Sequence, residues 1–107
     1  MHLLHLLFLR RIKSNPDNWF AKNKIIETLE SLAKKQTSIG QKQEALNNID
    51  TALIYTPDSS HLIAMKAILH DAVGDKENAI KWINIAKEKD PDNDDLDNVY
   101  KKINNLQ

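Results

Sequence analysis

Sliding the chain against itself by 34 residues brings Ala33 onto Ala67, Gly40 onto Gly74, Lys42 onto Lys76 and Ala45 onto Ala79. The same shift brings Ile49 onto Ile83, Ala52 onto Ala86, Pro57 onto Pro91 and Asp58 onto Asp92. Leu29 meets Ile63, Ile39 meets Val73 and Leu46 meets Ile80. Eight identities in 34 positions compare with about two expected from background composition. Both glycines and two of the three prolines fall into this register. A period of this length marks a stack of small supersecondary units, none of which buries its apolar face alone.

Each repeated position has a physical task. Gly40 and Gly74 punctuate two helical stretches, where a residue with positive φ ends a helix cheaply. Ala45, Ile49 and Ala52, like Ala79, Ile83 and Ala86, recur at i, i+4, i+7 on one helix face. Small residues there let neighbouring helices approach closely. Pro57 and Pro91 stop a helix, and Asp58 and Ser59, or Asp92 and Asn93, supply caps for the next. Two glycines and three prolines are too few for a turn-rich β-fold. The long runs of Ala, Leu, Lys, Glu, Gln and Ile favour helix. The expectation is an all-α chain of antiparallel helical hairpins.

The pattern resembles the tetratricopeptide repeat family over two units, 26–59 and 60–93. The family's alternation of large apolar, small, glycine, small, aliphatic, small and proline is met by Leu29, Ala33, Gly40, Ala45, Ile49, Ala52 and Pro57. Ile63, Ala67, Gly74, Ala79, Ile83, Ala86 and Pro91 meet it again. The chain departs from the pattern at Gln36 and His70, where an aromatic is usual, and at Lys66, where the first unit keeps Leu32. The resemblance implies a short right-handed superhelix of about six helices.

One domain over 1–107 is expected: an N-terminal apolar helix in 1–16, a first repeat over 17–59, a second over 60–93 and a closing helix in 94–107. Asn15-Pro16-Asp17-Asn18 looks like a further junction, 41 residues before Pro57. The extra seven residues are two helical turns and keep the face. A long helix from about Asn18 to Thr37 follows, with Trp19, Ile26, Leu29 and Ala33 on one side and Trp19 packing the first hairpin. Leu96, Val99, Tyr100, Ile103 and Leu106 give the closing helix an apolar stripe and a polar back. The stretch around Leu3, Leu4, Leu7 and Phe8 is apolar almost all round. A helix of that kind wants cover on more than one side, so a second chain, in a homodimer or stable complex, is expected there.

Function follows from the resemblance more than from any chemistry. Family members hold an extended or helical peptide on the concave face formed by the first helix of each unit. The matching positions are Glu27, Glu30, Lys34 and Ser38, then His61, Ala64, Ile68 and Asp71, with Asp95, Asn98 and Lys102 from the closing helix. Some members clamp a C-terminal carboxylate with basic residues. Glu30, Ala64 and Met65 stand at those positions, so that clamp is missing. The expected partner is a peptide with basic and apolar side chains. The expected function is a non-catalytic adaptor, assembly factor or scaffold.

Chemistry finds little support. Cysteine is absent, which removes disulfides and thiolate sites. His2 and His5 lack a visible third metal ligand, and His61 and His70 lie half a helical rotation apart. The run from Asp90 to Asp97 begins like a calcium loop, but Asp95 and Lys101 replace its glycine and last glutamate. It reads better as a helix start, with acids at the N-terminus and Lys101 and Lys102 at the far end. No serine sits in a nucleophile elbow, and glycine is too scarce for a phosphate loop. No cofactor or metal is expected, and no enzyme activity. Trp82 beside Ile83 is read as an outer-face residue.

Fifteen basic and fifteen acidic residues cancel, unlike the basic excess of nucleic-acid binders. Residues 1–24 nevertheless carry five cations and one acid. A structural or membrane-surface subunit using that basic, apolar segment is therefore the second reading. The short apolar run, with its cations after it rather than before, is expected to be neither a membrane span nor a secretory signal. A cytoplasmic location is expected.

Overall fold

The computed structural model describes residues 19–104, which form five α-helices and no strand. They are α1 (Trp19–Ser38), α2 (Lys42–Tyr55), α3 (Ser60–Ala72), α4 (Lys76–Lys89) and α5 (Asp94–Ile103). The sixth expected helix, in 1–16, and its Leu3, Leu4, Leu7 and Phe8 lie outside the described residues. Among the described residues, no helix is long and apolar enough to cross a membrane.

The repeat is visible in the turns. Gly40 and Gly74 have φ of 86° and 88°, the left-handed region that glycine enters without penalty. Around each, two backbone bonds close the preceding helix. Gly40 N–H donates to the Thr37 carbonyl and Gln41 N–H to that of Gln36. One period later, Gly74 donates to Asp71 and Asp75 to His70. This paired closure satisfies carbonyls that a helix end otherwise leaves open.

The starts of α3, α4 and α5 are capped by side chains. Ser59 Oγ accepts from Leu62 N–H at 3.3 Å, Asp75 Oδ1 from Asn78 N–H at 3.3 Å, and Asn93 Oδ1 from Asp95 N–H at 2.9 Å. Pro57 and Pro91 lie one residue past the C-caps Thr56 and Asp90, which share an extended φ of −144°.

The helices pack mainly on their sequence neighbours, α1 on α2, α2 on α3, α3 on α4 and α4 on α5, and α5 also reaches α3. Ala33, Ala45, Ile49, Ala52, Ala67, Ala79, Ile83 and Ala86 are fully buried. These repeated small residues allow the close approach, and the repeated isoleucines fill the space between them. Leu53 touches both core clusters, one centred on Ile49 and Leu62, the other on Ile83, Leu96 and Ile103. The core is therefore continuous from the first hairpin to the closing helix.

Trp19 corrects one expectation. It is exposed, whereas Ile26, Leu29 and Ala33 reach the core of the first hairpin. The reason is length. At 1.5 Å per residue, the 20 residues of α1 extend about 30 Å and the 14 of α2 about 21 Å. The antiparallel pair starts flush at the Gly40 turn, so the first turns of α1 overhang α2.

Candidate functional site

The expected groove residues lie at i, i+3, i+7, i+11 on α1 and at i, i+3, i+7, i+10 on α3, spacings that keep four side chains on one helix face. The structure brings several of them together. Glu30 Oε1 on α1 contacts His61 Nε2 on α3 and lies 3.8 Å from Lys34 Nζ. Lys34 and Ile68 line a cleft of about 200 Å³, together with Thr37, Met65 and Leu69. Its wall is almost wholly apolar, and Ile68 is 43% exposed within it.

The remaining positions divide. Glu27 and Ser38 are exposed, and Ser38 Oγ donates to the Lys35 carbonyl in its own helix. Asp71 is half-buried and turned toward α4, with its carboxylate 3.1 Å from Lys76 Nζ. Ala64 does not present a side chain to this cleft. It is only 6% exposed and belongs to the core around Ile83, because α5 packs on α3. Asp95, Asn98 and Lys102 are exposed on α5.

Two departures from the repeat pattern, Gln36 and Lys66, find close polar partners. Gln36 Oε1 accepts from Asn48 Nδ2 at 2.7 Å, linking α1 to α2. His70 is half-buried, with Nδ1 3.4 Å from a carboxylate oxygen of Asp75. Lys66 replaces an apolar residue, yet its side chain is only 15% exposed. Its ammonium lies 2.7 Å from Asp50 Oδ1 on α2 and 4.0 Å above the Trp82 ring on α4. A buried ammonium needs such compensation, since an isolated charge is costly out of water.

Lys66 also marks a feature that sequence reasoning missed. A second cleft, about 450 Å³, lies between α2, α3 and α4. Leu53, Ile54, Ile63, Trp82 and Ile85 form its apolar wall, with Asp50, Lys66 and Lys89 at its edges. On α3, Ile63 and Lys66 are roughly half a rotation from Ile68, so the two clefts flank α3 on opposite sides. The signal was present in the outer-face position of Trp82 and in the lysine at an apolar position. What was missing was Asp50, whose part depends on packing between units.

Two carboxyl groups are held below the usual range. Asp58 is lowered by the hydrogen bond and charge of Lys89, whose Nζ is 2.8 Å away. Asp75 is lowered by the side-chain and backbone N–H groups of Asn78, and less by His70. Both are helix-start or turn acids on the surface. Among the described residues, no group of three or more potential metal ligands converges. No protein-family model and no curated protein matches the chain.

Proposed function

We propose that the chain is a protein-interaction module of the tetratricopeptide repeat kind, which holds a peptide or helix of a partner in the cleft between α1 and α3 and has no chemistry of its own. One observation carries this reading. The 34-residue period buries its small and aliphatic positions, while Lys34, Met65 and Ile68, which do not repeat, line an accessible apolar cleft, with Glu30 and His61 in contact beside Lys34. Residues spent on a shared scaffold repeat, and residues spent on one particular partner need not.

The cleft sets the partner's chemistry. Its apolar wall takes an aliphatic or aromatic side chain, and Met65 adapts to its shape. Glu30, close to Lys34 at its edge, favours basic neighbours on the partner, and Lys34 and His61 temper that preference.

The test uses the full chain, tagged, as bait in extracts of its source cells. Ile68→Glu puts a charge into the cleft, and Asn84→Glu puts the same charge at an exposed position of α4. A groove partner is retained by the parent chain and by Asn84→Glu, and lost with Ile68→Glu. Equal retention by all three overturns the reading.

A further inference from the structure

The larger cleft on the other side of α3 has a different character. Its volume of about 450 Å³ falls in the range of small-molecule sites, which are mostly apolar with a few placed charges. Leu53, Ile54 and Trp82 provide the apolar wall, and Ile54 is 72% exposed at the lip. A large aliphatic side chain so open to water gains from being covered.

The charges decide what covers it. Lys66 is committed, since Asp50 and the Trp82 ring already hold its ammonium. Lys89 is different. Its one partner among the described residues is Asp58, whose side chain is 87% exposed, and a surface pair of this kind is worth little. Without Asp58, the lining carries Lys66 and Lys89 against Asp50, a surplus of one positive charge. A ligand carboxylate can replace that of Asp58 at Lys89 with no change in charge balance, and Asp58 then returns to water. A cationic ligand gains no such partner.

We propose that this cleft binds an amphipathic carboxylate, with its apolar body on Leu53, Ile54 and Trp82 and its head on Lys89. The site is independent of the partner cleft between α1 and α3. Asp58 acts as the internal competitor for Lys89, so its removal and the removal of Lys89 have opposite effects.

Titration with dodecanoate below its micelle concentration tests this, read by Trp82 emission in the full chain carrying Trp19→Phe. The expected result is a saturable change that dodecyltrimethylammonium, with the same tail, does not match in affinity. On the scale of a surface ion pair, Asp58→Asn tightens dodecanoate binding by about two- to fivefold and Lys89→Gln weakens it by a similar factor. Both positions are exposed, and circular dichroism verifies an unchanged helix content. Absence of saturable binding, equal affinity for the cation, or failure of either variant to move the affinity in its stated direction overturns the proposal.

Discussion

Lys66 Nζ on α3 lies 2.7 Å from Asp50 Oδ1 on α2, so a charged pair bridges two repeat units at a position where the first unit has leucine. Asp50→Ala leaves the largely buried ammonium without its carboxylate. The expected cost is about 1–3 kcal/mol, the penalty of an unpaired buried polar group, read as a lower urea midpoint. Adding Lys66→Leu to Asp50→Ala recovers most of the loss, since an apolar residue of similar size replaces a buried ion pair well.

Gly74 has φ of 88° and open space where a Cβ would stand. Gly74→Ala therefore tests backbone strain alone, free of any clash. It is expected to cost about 1–2 kcal/mol. Gly74→Asn costs less, because asparagine visits the left-handed region more readily. Equal thermal midpoints for the parent chain and Gly74→Ala would sink this account of the turn.

Ile83 is fully buried on α4, and its neighbour Asn84 is exposed. Ile83→Ala is expected to destabilise by about 2–5 kcal/mol through lost burial and a residual cavity. Asn84→Ala stays within about 0.5 kcal/mol. Denaturant unfolding of both variants measures the contrast.

Acid should weaken the fold through Asp58 and Asp75. Each binds its proton less readily in the folded chain than in the unfolded one. Between the two pKa values the unfolded chain holds more protons, so stability rises with pH. The contribution is complete above the ordinary carboxylate value near 3.8 and disappears as pH falls through the lower folded values. Thermal midpoints recorded from pH 6 to pH 2 should decline on the acid side, and Asp75→Asn should make that decline shallower.

The sequence carried the helical hairpins because their determinants are local and repeated. Glycine at a left-handed turn, proline after a C-cap and alanine at i, i+7 are all visible within one period. The start and end of α1 were read to within one residue for the same reason. The overhang of Trp19 was not legible, since it follows from the relative lengths of two packed helices. Nor was the burial of Ala64, which depends on α5 folding back to α3. Glu30 and His61 both stand at concave-face positions of the pattern, whereas their contact is set by the packing of α3 beside α1. The Lys66–Asp50–Trp82 cluster joins three helices, and a spacing rule within one helix does not reach it.

The identity between Lys42 and Lys76 has a role that spacing did not explain. Lys42 Nζ donates to the Ala72 carbonyl at 3.4 Å, at the C-terminal end of α3. Lys76 Nζ donates to the Ile103 carbonyl, at the end of α5. Each lysine thus leaves the start of one unit's second helix and closes the last turn of the helix that follows in the next unit. An end group of one hairpin is completed only when its predecessor is in place. Loss of one hairpin therefore exposes a neighbour's frayed end as well as its apolar face. In a one-dimensional array this strengthens the nearest-neighbour coupling relative to the intrinsic stability of each unit. A chain built this way is expected to melt as one block, where loosely joined hairpins would peel away one by one.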